Sequence, residues 1–229
     1  MLEVGAYCGY SSLRMAIARP GSRILTLEAN PSTAVIARSV VAYSGLAHLI
    51  DVRVGHSEDV LPLLGTDGWG GQGASPAPPF DIVFFDQRGS RYVADLKTLE
   101  SSGCLAPGAV VVCDNVLKPG APALLWHVLR SGLYETQIMA VTEYAMPGVE
   151  DWMSMSVYRH PQGEQQQAPP PPLPASLRRL EWEADQMRNR NQTGGVDFEA
   201  WAQFAATMRS SLASSAGIAP EKPWAGGEK

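Results

Sequence analysis

Short unbroken apolar runs alternate with helix-like stretches across residues 1–160, and this alternation constrains the fold more than any other feature of the chain. Met1–Val4, Arg23–Glu28, Ile50–Val54, Asp81–Asp86, Ala109–Asp114 and Met153–Tyr158 read as strands. The clearest are Ile82-Val83-Phe84-Phe85 and Val110-Val111-Val112. Runs without polar alternation suit strands covered on both faces, as in a parallel sheet. Ser11–Ala18, Pro31–Ser44, Ser57–Leu64, Tyr92–Ser102 and Ala121–Ser131 read as the intervening helices. The pattern predicts an open α/β sheet of Rossmann-like, mostly parallel type. With 229 residues, 45% of them hydrophobic, the chain has material for one large domain or one domain and an appendage.

Two segments interrupt the pattern. Gly65–Pro79 reads as a low-complexity surface loop before the fourth strand. Residues 161–174 (PQGEQQQAPPPPLP) read as an extended Gln/Pro linker with nothing to bury. The expected organisation is therefore a domain over 1–160, a linker over 161–174 and a helical tail over 175–229. In the tail, Leu177, Leu180, Ala184 and Met187 recur at helical spacing, as do Phe198, Trp201, Phe204, Ala205, Met208 and Leu212. These stripes either dock on the main domain or meet a partner.

A net charge of −5 without any Lys/Arg cluster speaks against a nucleic-acid partner. Cys8, Cys104 and Cys113 are odd in number and sit among apolar residues. They read as small core residues in a reducing compartment, so a cytoplasmic location is expected. No run reaches the ~20 apolar residues that span a bilayer, and the opening residues lack a charged-then-apolar leader. His48, His56, His127 and His160 show no zinc-ligand spacing.

Ligands of open parallel sheets gather beyond the carboxyl ends of the strands. The first strand ends in Glu3-Val4-Gly5-Ala6-Tyr7-Cys8-Gly9-Tyr10-Ser11. A glycine turn there lets a cofactor approach the backbone, or serves the turn alone. Its spacing is not G-x-G-x-x-G, which counts against a dinucleotide and a nicotinamide oxidoreductase. Glu28 closes the second strand about 20 residues later, where an acid accepts both hydroxyls of a ribose; alternatively it flanks the helix opening at Asn30-Pro31. Asp86 closes the fourth strand and Asp114-Asn115 the fifth. Two carboxylates and an amide oxygen are hard donors that suit Mg²⁺, which keeps several waters and leaves room for a substrate.

These segments resemble the catechol O-methyltransferase family, whose cofactor loop matches residues 3–11 and whose metal-binding segment matches Asp114-Asn115-Val116 with Pro119-Gly120-Ala121-Pro122. The resemblance runs over residues 1–160 and does not reach the tail. It implies a class I methyltransferase fold and transfer of a methyl group from S-adenosylmethionine to a hydroxyl of a catechol-like vicinal diol. It implies that Glu3, Gly5, Tyr7, Tyr10 and Ser11 line the S-adenosylmethionine pocket, with Glu28 on the ribose and Ser57 and Glu58 near the adenine. It places Asp86 in contact with both cofactor and metal, and Asp86, Asp114 and Asn115 around Mg²⁺. Glu143 would meet a substrate hydroxyl and, with Asp86, carry the catalytic role.

The sequence departs from the family in two ways. The position of the family's lysine, proposed as general base, is Gly89 in Asp86-Gln87-Arg88-Gly89-Ser90-Arg91-Tyr92. The family's helices before the first strand have no counterpart here. Either the tail helices replace that cover, or the sequence is a piece of a longer protein. A non-catalytic cofactor- or partner-binding relative is the alternative reading.

Overall fold

The computed structural model describes residues 1–67, 78–142, 149–159, 171–194 and 197–223. It divides into two compact units: Met1–Gln87 with Ala94–Val110, and Arg88–Val93 with Val111–Lys229.

The first unit is a strand–helix alternation. Its elements are β1 (Leu2–Val4), α1 (Tyr10–Ala18), β2 (Ile24–Glu28), α2 (Pro31–Tyr43), β3 (Ile50–Val54), α3 (Ser57–Asp67), β4 (Phe80–Phe85) and most of α4 (Tyr92–Ser101) and β5 (Leu105–Cys113). The strand order is β3-β2-β1-β4-β5. β1 runs parallel to both β2 and β4, with Val4 opposite Leu27 on one side and Phe85 on the other. β1 is buried at every position, as its unbroken apolar pattern requires. α2 begins where Asn30 accepts a hydrogen bond from the Ser32 N–H at 2.9 Å, with Pro31 in the first turn. Both are favoured there because the first helical amides lack partners within the helix. Ala34, Ala37 and Val41 of α2 and Ala16 of α1 pack with Ile24, Ile50 and Val52.

The second unit begins with a 3-10 turn, Gly89–Arg91, and takes in the end of β5. A tight turn over Val116–Gly120, all five residues buried, leads into α5 (Pro122–Arg130). Then follow β6 (Tyr134–Thr142) and β7 (Glu150–Tyr158), antiparallel from Tyr134↔Tyr158 to Thr142↔Glu150. Past β5 the strand order continues β7-β6-β8, where β8 is Lys222–Pro223. Two long helices, α6 (Ala175–Gly194) and α7 (Phe198–Ala216), separate β7 from β8. Leu177, Leu180 and Ala184 of α6 and Ala205, Met208 and Leu212 of α7 are buried. Both helices pack on the Val116–Gly120 turn, so the tail stripes dock within their own chain.

Most element positions agree with the sequence reading to within a few residues; β5 starts at Leu105, four residues before Ala109, β8 was not expected, and three further differences have a clear cause. β6 went unread because Tyr134-Glu135-Thr136-Gln137-Ile138 alternates polar with less polar side chains instead of forming an apolar run. β7 starts at Glu150, earlier than Met153, since Asp151 is a buried acid inside a strand. Gly65–Asp67, read as loop, continues α3. Residues 68–77 of that loop and most of the 161–174 linker lie outside the described residues. Among the described residues no helix is long and apolar enough to cross a membrane. All three cysteines are free, with Cys104 and Cys113 buried; burial pushes the Cys113 thiol up to about 12, which leaves it inert as a nucleophile.

Candidate active site

The β1–α1 loop is assembled around two carboxylates. Glu3, fully buried on β1, accepts hydrogen bonds at Oε2 from the hydroxyls of Ser12 and Thr26. Its other oxygen, Oε1, is buried with no hydrogen-bond partner among the described residues. Glu28 accepts from the Tyr7 N–H at 2.7 Å through Oε2, and from the Asn30 N–H at 2.8 Å and the Thr33 hydroxyl at 3.2 Å through Oε1. Glu28 therefore braces the loop and flanks α2. Tyr7, with φ of 45°, sits in the left-handed region that side chains seldom adopt, and the Glu28 contact helps hold it there. Tyr7 and Tyr10 present exposed rings, 72% and 67% accessible. Ser11 is half-buried in the first turn of α1.

Gly5 is required twice over. Its φ is +108°, and a β-carbon there would sit inside the radius of the Asp86 carbonyl oxygen. That approach ties the loop to the end of β4, where the Asp86 N–H donates to the Val4 carbonyl at 2.9 Å. Asp86 itself is exposed. Ser57, buried at the start of α3, meets the Gln87 side chain, whose amide donates in turn to Asp95; Glu58 beside it is exposed. Ser12, Thr26 and Asp95 are site-supporting residues that spacing did not reveal, because small hydroxyls and helix acids carry no motif of their own.

In the second unit Asp114 and Asn115 follow β5 directly. The Asn115 N–H donates to Asp114 Oδ1 at 2.8 Å, with Asn115 in the left-handed region at φ 55°. Burial raises the Asp114 carboxyl, partly opposed by that N–H. The organiser of this turn is Asp151 on β7, which the sequence reading missed. It accepts from Asn115 Nδ2 at 2.9 Å, from the Lys118 N–H at 2.9 Å and from the Trp152 N–H at 2.7 Å. Burial pushes Asp151 up to about 6, despite three hydrogen bonds that favour its ionised form. The Tyr92 hydroxyl donates to the Asp114 carbonyl at 3.1 Å.

The Gly89 position has no room for a side chain. A β-carbon there would lie 2.6 Å from the Gly120 carbonyl oxygen and 3.2 Å from the Ala121 side chain. No larger residue fits without displacing that backbone. Glu143 lies outside the described residues.

Oε1 of Glu3 is a buried acceptor at the root of the glycine loop, and it suits a ligand that brings hydrogen-bond donors. Donation from Asn115 Nδ2 to Asp151 turns the amide oxygen away from Asp151; an amide oxygen and the Asp114 carboxylate are both hard donors of the kind a divalent ion takes. Among the described residues no three His, Cys, Asp or Glu converge on one point. The expected trio holds only two residues of those types, Asp86 and Asp114, with an amide as its third donor.

The O-methyltransferase family profile matches residues 1–124 of this chain. Catechol O-methyltransferase of Sus scrofa is 40% identical over 163 residues, covering 70% of this chain and 83% of that protein. The Mus musculus protein of the same name is 37% identical over 163 residues, and there the chain spans only 58% of the relative's length. Among solved structures, the O-methyltransferase TomG from Streptomyces achromogenes, involved in Tomaymycin synthesis and determined in complex with SAM, is 28% identical. It aligns with a TM-score of 0.56 over 69% of this chain and 72% of its own. A profile match spanning 124 of 229 residues, joined to 40% identity across most of a whole relative, carries one conclusion. This chain belongs to the catechol O-methyltransferase family of O-methyltransferases.

Proposed function

We propose that the protein transfers a methyl group from S-adenosylmethionine to one hydroxyl of a catechol-like vicinal diol, with Mg²⁺ bound by Asp86, Asp114 and Asn115. The observation that carries this reading is the Asp114–Asn115 turn, where buried Asp151 fixes the direction of the Asn115 amide. Support on the cofactor side comes from the Glu3 oxygen at the root of the β1–α1 loop and from the Tyr7–Glu28 brace.

In this reading Glu3 and Gly5 form the base of the cofactor pocket, Tyr7, Tyr10 and Ser11 line it, and Glu28 takes the ribose hydroxyls. Ser57 and Glu58 lie at the adenine end. The sulfonium cofactor supplies an activated methyl group, and the divalent ion supplies acidification of a bound hydroxyl. The protein's own contribution is then orientation, which can supply up to ~7–11 kcal/mol when two reactants are held in line. Glu143 accepts the hydroxyl proton in place of the family's lysine. General-base help is worth about 10²–10⁴-fold, so the change to Gly89 slows the reaction without abolishing it.

The closed space around Gly89 also favours a second reading, a relative that binds cofactor or partner without catalysis. A radiolabelled methyl-transfer assay on catechol with Mg²⁺, run on wild type beside Asp114→Ala, separates the two. Transfer in wild type and a loss of at least tenfold in the variant is the expected result. Tight cofactor binding with no transfer supports the second reading. Activity that survives the substitution removes the metal from the account.

A further inference from the structure

Helix α6 carries two stripes. One is apolar and buried: Leu177, Leu180 and Ala184. The other steps by four residues along Glu181, Asp185 and Asn189, a spacing that puts all three on one face. Each of these reaches out of its helix. Glu181 Oε2 accepts from the Ala123 N–H at 2.9 Å, one of the early amides of α5 that have no partner within that helix. Asp185 Oδ1 accepts from the Ser90 hydroxyl at 2.9 Å and faces Arg88 Nε at 3.9 Å. Asn189 Oδ1 accepts from Arg88 Nη2 at 3.0 Å.

Packing alone does not require this polar stripe. Two acids four residues apart destabilise a helix by roughly 0.2–0.5 kcal/mol, and the apolar stripe already gives α6 a face to bury. The partners are also not scattered. Arg88 and Ser90 straddle Gly89, and Gly89 lies against the Gly120 carbonyl, three residues before Ala123. Tyr92, fully buried, leaves the same turn and bonds the Asp114 carbonyl. A continuous series of contacts thus leads from α6, through the Arg88–Tyr92 segment, to the backbone of Asp114.

We propose that α6 is a positioning element for diol binding: Asp185, Asn189 and Glu181 hold the Arg88–Arg91 turn and the start of α5 so that Asp114 and Asn115 keep their orientation. The inference rests on the diol-methyltransferase reading above and assigns the tail a part in it. Asp185 and Asn189 touch no reacting atom; they act through Ser90, Arg88 and Tyr92.

The test uses the full chain with Asp185→Ala, Asn189→Ala, their double variant and Asp185→Asn. Catechol KM and kcat, S-adenosylmethionine Kd, melting temperature and amide hydrogen exchange over 88–93 and 116–124 are measured for each. The double variant should raise catechol KM roughly tenfold, because small misplacements near a reacting pair are costly. Its cofactor Kd should stay within about twofold, and exchange over 88–93 should rise about tenfold or more. Asp185→Asn keeps an acceptor for Ser90 and should recover most of the loss. An unchanged KM overturns the proposal, as does a parallel change in KM, cofactor Kd and melting temperature, which is what a merely structural helix would give. If wild type transfers no methyl group, the function reading fails and the diol half of this proposal falls with it. Exchange then decides the clamp by itself, and an unchanged 88–93 segment refutes it.

Discussion

The β1–α1 loop and the Arg88–Asp114 region are held together over very different lengths of chain. Glu3 and Glu28 bind partners 9, 21 and 23 residues away, Ser12 in α1, Tyr7 in the loop and Thr26 in β2. Asn115 is held by a residue 36 positions on, Ser90 by one 95 away and Arg88 by one 101 away. Closing a longer loop costs only about 0.6 kcal/mol per doubling, so both arrangements are thermodynamically attainable. What differs is dependence. The first region needs only its own strands and helices, whereas the second is complete only when β7 and α6 have joined it.

Gly5→Ala should have the largest effect of all. Left-handed strain of about 1–3 kcal/mol adds to an overpacking cost of about 1–3 kcal/mol against the Asp86 carbonyl. A fall of several kcal/mol in urea unfolding, with loss of S-adenosylmethionine binding, is expected. A variant that melts like wild type would show that the first region is looser than its hydrogen bonds suggest.

Asp151→Ala should come next. It strips the acceptor from Asn115 Nδ2, Lys118 N–H and Trp152 N–H together. A buried donor left unsatisfied costs about 1–3 kcal/mol; with partial access of water, a total near 3 kcal/mol is expected, read as a lower urea midpoint. Catechol KM should rise more than cofactor Kd does. Equal changes in both would erase the distinction between the regions.

The smallest effect is the pH dependence carried by Glu181. Burial, and secondarily the nearby Asp185 charge, push its carboxyl up from 4.5 to about 7, against the Ala123 N–H that lowers it. An acid whose folded pKa is raised keeps its proton in the fold after the unfolded chain has lost it. Stability from this group therefore falls as pH rises between about 4.5 and 7. After allowance for partial exposure the loss amounts to about 1–2 kcal/mol. Glu181→Gln should flatten that slope, measured by chemical denaturation at pH 5, 6 and 7.5. An unaltered slope would place the pH sensitivity elsewhere.

The same contrast decides what was legible in the sequence. The alternation of apolar runs and the places of the first five strands along the chain could be read directly, since buried parallel strands leave unbroken hydrophobic segments; their order in the sheet could not. Glycines 5 and 9 and the acid at Glu28 sit at fixed offsets from β1 and β2, so local spacing revealed them. Asp151 did not announce itself, because its role depends on β7 lying beside the turn that follows β5, a long-range placement that no local pattern carries. Glu181, Asp185 and Asn189 read as ordinary solvated positions of an amphipathic helix. Only their long-range partners distinguish them, and no local pattern encodes those. Gly89 was legible as a departure from a family motif, but the carbonyl that excludes a side chain there was not.

β8 is only two residues long, yet its place has a consequence for how copies of this protein meet one another. It lies beside Met139 and Ala140, the middle of β6, whose other edge is taken by β7. An open strand edge is a template for another chain, and short, proline-bearing edge strands are the usual defence. Pro223 has no N–H to give an incoming strand, and β8 pairs with two of the nine residues of β6. A short, proline-bearing strand there makes that edge a poorer template for another chain than the bare edge of β6 would be.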